Sequence, residues 1–448
     1  MKMTFKTGIA LAALIGSPAM AQHEGHGGHQ MPAEEATQQH NHGTHQMESG
    51  NLCLPVATVP AWANGSGTSR LPGSEGTLGG CGQPASAHAP GGLHAMSGDW
   101  MLMAHGYVWP VYTDQSGPRG DDKIYAQSMV MLSASGPIGE GVNLELRTML
   151  SAEPLMDNAG YPNLFATGET DEGEPLVDRQ HPHDLFMELA ARVNVDIGGS
   201  NQLFLYGGPV AEPALGPSAF MHRGSATYNP EAPITHHWFD STHITYGVVT
   251  AGYSSSRFQL EASAFRGREP DEERWGIETP RLDSWSIRGT WNASRNWATQ
   301  LSYGRINEPE ALHPGEDEGR FTASVHYSGW NGLSAMAAFS AKNRIPGPTL
   351  EAFLIEANWN IDNHHTVFGR FENVENDELF DHDSPLHEIP YRISKFQAGY
   401  AYRLPLADNL NVALGGTVSA FAFPNALEAA YGDNPMGFTL FARFALGR

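Results

Sequence analysis

Phe321-Thr322-Ala323-Ser324-Val325-His326-Tyr327 places apolar or aromatic side chains at 321, 323, 325 and 327, with Thr322, Ser324 and His326 between them. Alternation of this kind reads as a strand with one apolar and one polar face. Phe353 to Ile361 repeats it, with Glu356, Asn358 and Asn360 on the second face. Phe396, Ala398, Tyr400 and Tyr402 alternate with Gln397, Gly399, Ala401 and Arg403. Near the end, Phe438, Leu440, Ala442 and Phe444 alternate with Thr439, Phe441 and Arg443.

A soluble β-sandwich also alternates, so the connections must separate the two readings. Strands are expected at 100–112, 124–135, 142–151, 185–197, 202–209, 242–253, 258–266, 284–293, 297–306, 321–328, 332–341, 353–361, 365–374, 393–403, 411–421 and 437–446. Short turns such as Gly198-Gly199-Ser200-Asn201, Ser294-Arg295-Asn296 and Asp362-Asn363-His364 alternate with long connections over 152–184, 210–241, 267–283, 307–320, 375–392 and 422–436. Short turns on one side and long loops on the other identify an all-β transmembrane antiparallel β-barrel of the bacterial outer membrane. The expected strand number is about 16, with 14 and 18 as the neighbouring counts. Lipid supplies no hydrogen bonds, so such a sheet must close on itself. Glu261, Arg288, Glu356, Arg370 and Arg403 should then face the lumen or a rim, since Arg or Lys on the lipid face costs roughly 2–4 kcal/mol at mid-bilayer. Trp109, Trp291, Trp297, Tyr303, Trp359 and Tyr402 are candidates for the interfacial aromatic belts. Opposite charges in the lumen, Glu356 and Arg370 for example, could pair and close it.

The bulk composition agrees. The chain has 448 residues, with 50 Gly, 30 Pro and 17% charged residues, which suits many short strands and loops. A formal net charge of −23 excludes nucleic acid as a natural partner and accommodates cations. Residues 1–21 read as a signal peptide: Lys2 and Lys6, the apolar run Ile9 to Ile15, and Ala19-Met20-Ala21 before Gln22. Residues 22–98 form a flexible His-, Gly- and Pro-rich arm expected in the periplasm, and 99–448 form the barrel. Stretches such as Gly65-Ser66-Gly67-Thr68-Ser69 bury little apolar surface, so this arm is expected to be mobile. Cys53 and Cys81 would meet an oxidising compartment, and a disulfide between them would stabilise by about 3–4 kcal/mol. It would tie part of the arm into a compact loop, a candidate plug. A two-thiolate metal site is the alternative.

Two groups of residues could carry chemistry. The arm reads His23, His26, His29 and Met31, then His40, His42, His45 and Met47. Imidazole binds Cu(II), Ni(II) and Zn(II), and thioether sulfur favours Cu(I). The second group lies in the long connections: His181, His183 and Asp184, then His222, then His236 and His237 with His243 close behind. The topology brings these segments to one mouth of the barrel. Acidic runs in other long loops, including Glu308, Glu310, Asp377 and Glu378, read first as hydrated surface, bridged to lipopolysaccharide by divalent ions. No nucleophile-elbow, zincin or phosphate-loop motif supports catalysis.

A signal peptide, a His/Met arm over His23 to Met47 and barrel-like alternation from Asp99 onward together resemble the outer-membrane copper-resistance proteins of the B type. The resemblance implies periplasmic copper binding and tolerance, with a copper ion as the metal, Ni or Zn as alternatives, and periplasmic metal-handling partners. This arm has fewer methionines and no repeated Met-rich blocks. Two other readings stand beside it: a general porin whose histidines are incidental, and a structural barrel acting through Ca²⁺ on its acidic loops. Outer-membrane lipid and lipopolysaccharide are partners in all three, and homo-oligomers are common among such barrels.

Overall fold

Strand Ser284–Ser294 shows the rule that builds the molecule. Trp285, Ile287 and Trp291 are exposed, while Ser286, Arg288 and Thr290 are buried, so the apolar face looks outward and the polar face inward. That inversion of a soluble core is what lipid selects. The computed structural model describes residues 65–72, 93–407 and 410–446. The signal peptide, the arm from His23 to Met47, and Cys53 and Cys81 lie outside the described residues.

Sixteen antiparallel strands close into a barrel. Each pairs with its sequence neighbours, and the last, Met436–Leu446, returns to the first, Trp100–Gln115, in register Gly437↔Gln115 to Leu446↔Gly106. Short turns and longer connections alternate around the ring, as expected. All sixteen expected strands are present. The expected strand at 242–253 begins later, at Thr245, because Ser241–His243 forms a 3-10 turn.

The arm's expected end at 98 falls inside structure. A short strand, Leu93–Ser97, pairs with the start of Trp100–Gln115, from Leu93↔Ala104 to Ser97↔Trp100. The closing strand reaches only Gly106, so this segment covers an edge that would otherwise be unpaired.

Glu261, Arg288, Glu356 and Arg370 all point inward, and Arg403 reaches the carbonyl of Asp362 at a short-turn rim. Trp291, Trp297, Trp330 and Tyr402 are exposed near the short turns, and Trp285 and Tyr303 near the long loops. Trp109 departs from expectation. It is buried in the lumen with its ring centroid 5.0 Å from that of Phe441, because Val108 and Pro110 hold the outward positions. The outward/inward asymmetry yields a direct stability test. Ile287→Arg should cost roughly 2–4 kcal/mol in denaturant titrations of the vesicle-inserted barrel, although its neighbour is already an arginine.

Among the described residues, three pieces of the chain reach furthest into the lumen, and Leu379, Leu427 and Tyr431 of other connections are buried as well. The connection between strands Asn201–Ala211 and Thr245–Ser254 folds inward and crosses it. Gly216 O accepts from Arg288 at 3.2 Å on one wall. Glu231 accepts from Thr417 at 2.7 Å and Thr439 at 2.6 Å, on strands half-way around the ring. The hairpin Tyr161–Asp171 with Glu174–Gln180 lies beside it, its Leu164, Phe165 and Ala166 packed with Trp238, Phe239 and wall residues such as Leu354.

The third piece is residues 65–72. Arg70 donates to the carbonyls of Ser255 and Ser256 at a short turn, at 2.8 and 2.9 Å. Thr68 O accepts from Gln259 at 2.7 Å, and Ser66 N donates to Ser218 Oγ at 2.9 Å. The stretch Gly65 to Ser69, expected to be mobile, is therefore buried. Its short polar groups are satisfied by a polar lumen, a partner that apolar-burial reasoning does not count.

Candidate metal centre

Five imidazoles meet inside the barrel. His181 and His183 sit between the hairpin and strand Phe186–Gly198. His236 and His237 lie on the short helix His236–Phe239, and His243 ends the following turn. Successive ring centroids are close: 5.8 Å for His181–His236, 5.6 Å for His181–His237, 5.3 Å for His236–His237, 5.1 Å for His236–His243 and 5.2 Å for His183–His243. All five are buried.

The two nitrogens of each ring have different partners. Every Nδ1 faces an acceptor. His183 Nδ1 is 2.8 Å from Glu153 Oε2, His236 Nδ1 is 2.9 Å from Asp240 Oδ1, and His237 Nδ1 is 3.2 Å from Glu269 Oε1. His243 Nδ1 meets Asp240 O at 2.7 Å, and His181 Nδ1 meets Pro182 O at 3.2 Å and Glu169 Oε1 at 3.3 Å. In the neutral ring an acceptor at Nδ1 puts the proton there and leaves Nε2 as a lone pair. His183 and His237, which Glu153 and Glu269 raise against burial, must each give up a second proton, from Nε2, before that nitrogen can ligate. The Nε2 atoms of His181, His183, His237 and His243 are buried with no hydrogen-bond partner among the described residues. A buried polar atom without a partner costs about 1–3 kcal/mol, so four together need a cause.

An ion is a sufficient cause. His181, His236 and His237 each bring one ring nitrogen within 4.8 Å of the others. Nitrogens about 2.0–2.1 Å from a tetrahedral ion sit about 3.3–3.4 Å apart, so ring shifts of roughly an ångström close the set. Carboxylates and carbonyls behind the rings match the outer sphere of metal-binding histidines, which fixes tautomer and orientation.

Burial holds His181, His236 and His243 below the ordinary imidazole range, in the neutral form that ligates. Burial also opposes protonation of His237, but the Glu269 carboxylate outweighs it and lifts that ring to about 9. Burial alone would raise Asp240, yet Arg223 and His236 bring it well below the usual carboxylate range. Arg223 and Arg274 hold the supporting carboxylates in place. Arg223 NH1 is 2.8 Å from Asp240 Oδ2, and Arg274 is paired with Glu169.

His237 can occupy its position only because residue 168 is glycine. Gly168 has φ +108°, and a Cβ there would stand 2.3 Å from His237 Nε2. Gly168→Ala is therefore expected to displace His237 and weaken zinc binding about 10–100-fold in competition titrations, as loss of a supporting group does.

Two residues expected with this group lie elsewhere. His222 faces His105, with ring centroids 6.5 Å apart, and burial lowers it to about 3. Asp184 accepts from Tyr246 and pairs with Arg274 at 3.2 Å, so it supports the site without facing the rings. His243 stands in the cluster, although its position six residues beyond His237 was read only as an approach to the next strand. The acidic loops are not all hydrated surface. Glu269 backs His237, and Glu310, His313 and Glu378 gather in a second group. Lys342 pairs with both carboxylates of that group and Arg344 with Asp377 at 2.8 Å, so cations of the chain already compensate it.

No family model matches the chain, and no curated protein matches it. Solved outer-membrane barrels do. Salmonella typhi OmpF, in a complex with daunomycin, aligns over 79% of this chain and 100% of its own, with TM-score 0.51 and 10% identity. An anion-selective porin from Comamonas acidovorans covers 78% of this chain and 100% of its own (TM-score 0.49, 12% identity). Pseudomonas putida OprB covers 78% and 94% (TM-score 0.48, 11% identity). At 10% identity the likeness to OmpF establishes the fold alone, that of a porin-like antiparallel β-barrel. It lends no support to a copper-resistance family in particular.

Proposed function

We propose that this chain is a channel-type outer-membrane barrel whose lumen holds a site for a borderline divalent transition-metal ion. Cu(II) is the first choice, with Ni(II) and Zn(II) next, by the affinity order of nitrogen ligands. The observation that carries the reading is the set of four buried Nε2 atoms, those of His181, His183, His237 and His243, with no partner among the described residues and with each ring anchored through Nδ1. His181, His183, His236, His237 and His243 are the proposed ligand pool. The histidines and methionines from His23 to Met47 are proposed as a second ligand set that captures ions on the periplasmic side.

The comparisons favour the channel part of this reading over the metal part. A second reading, a general porin with incidental histidines, has the OmpF-like fold in its favour. Against it, the inward connection and residues 65–72 occupy the lumen. Equilibrium dialysis of the refolded, full-length chain against Cu(II), Ni(II) and Zn(II) separates the two. At least one ion per chain should survive replacement of the six arm histidines by alanine. Loss of all stoichiometric binding with those six would leave the porin reading standing alone.

A further inference from the structure

Three adjacent strands set a row of soft donors across the lumen wall. On Trp100–Gln115, His105 is the direct cross-strand partner of Met131, and Met131 is the partner of Met149 on Val142–Leu150. All three are buried and inward-facing. Directly opposed side chains have Cβ atoms about 4.5–5.5 Å apart, within common reach of one ion. Met129 and Met187 pack into the same cluster, and the inward connection lays Met221 against it.

Two contacts distinguish this from methionine packing alone. His105 Nε2 points at Met131 Sδ from 3.1 Å, so the imidazole and thioether donors converge. His222, next to Met221, faces the His105 ring, and its Nε2 is buried with no hydrogen-bond partner among the described residues. An apolar cluster has no use for an unpartnered imidazole nitrogen. Thioethers do pack adaptably as gap-fillers. That does not explain why His105 turns its Nε2 onto Met131 Sδ, or why the His222 nitrogen beside it is left without a partner among the described residues.

We infer that His105, Met131, Met149 and His222 form a second metal site, for a soft monovalent d¹⁰ cation, Cu(I) or Ag(I). Thioether and imidazole together select such ions, whereas the five-histidine centre, with nitrogen ligands and carboxylate support, suits the borderline divalent ones. The site binds an ion already reduced, so no electron donor is required. It shares no residue with the five-histidine centre, and it stands or falls independently of it.

Ag(I) is the probe, and the protein is the full-length chain carrying M31L and M47L, which removes the thioethers of the segment from His23 to Met47. The background chain should bind about one equivalent more Ag(I) than the same chain with M131L and M149L, swaps of similar volume that a core tolerates. H236A/H237A should leave that equivalent in place. X-ray absorption at the silver edge of the background chain, loaded with that equivalent, should show at least two sulfur neighbours. This second measurement needs no substitution inside the barrel, so it stands even if the double variant does not fold. Equal Ag(I) uptake with and without Met131 and Met149, or a first shell of nitrogen and oxygen only, overturns the site.

Discussion

Replacing His236 and His237 together by alanine should weaken Zn(II) or Cu(II) binding at the lumen site by about a hundredfold or more, while the barrel stays folded. Loss of a single supporting group behind a ligand costs about 10–100-fold, and this change removes two rings outright. The pair is the centre of the cluster. His236 lies 5.8 Å from His181 and 5.1 Å from His243, and His237 lies 5.6 Å from His181, centroid to centroid. The helix that carries them, His236–Phe239, is one turn in a connection and contributes nothing to barrel closure. Competition titration gives the affinity, and the heat-dependent shift of the band in detergent gels reports the fold. An unchanged affinity in the presence of an intact barrel would remove these rings from the ligand set.

Glu231→Ala should release the inward connection and raise single-channel conductance several-fold over the parent chain. Glu231 is the far anchor of that connection. Its carboxylate accepts from Lys395 at 3.0 Å, Gln397 at 2.6 Å, Thr417 at 2.7 Å and Thr439 at 2.6 Å, from three strands. Removing one partner of a buried ion pair costs about 3–5 kcal/mol, because Lys395 keeps its charge and loses its counter-ion. The wall itself is held by backbone pairing around a closed ring, so the connection is the part that yields. Burial alone would raise the Glu231 carboxyl, but Lys395 and the two threonines hold it below its ordinary value. The sign follows. A depressed carboxylate stabilises fully above its unfolded pKa of about 4.3, and that contribution is lost as pH falls through the folded value. Parent conductance should thus be flat from neutral pH to about 5 and rise only in stronger acid. Planar-bilayer recording checks both points, and identical traces for parent and variant at pH 7 would mean that the connection does not limit the current.

The barrel was legible because the membrane imposes one rule on every strand. Ile287 must face lipid and Arg288 must not, and a period of two records this in the sequence without help from distant contacts. The long connections obey no such rule. Whether Glu269 hydrates a surface or backs a histidine depends on a chain segment 32 residues away. Gly65 to Ser69 looked mobile for the same reason, since its partners Ser218, Gln259 and Arg288 come from remote segments. His181, His183, His236 and His237 stood out because they come in pairs next to strand ends. His222 stood out equally and went to another place, against His105 and beside Met221. The row His105–Met131–Met149 left one faint trace, each residue falling on the inward parity of its strand. Only the register of three strands turns that parity into a neighbourhood.

The central claim is that imidazoles inside the barrel, and not only those of the arm, bind a metal. X-ray absorption at the zinc edge tests it most directly, on the full-length chain with His23, His26, His29, His40, His42 and His45 replaced by alanine and Zn(II) added at one equivalent. A bound ion with at least three imidazole nitrogens in its first shell is the expected result. An ion left with an oxygen-only shell, or removed by simple dialysis, would contradict the claim and return the barrel to the general porins.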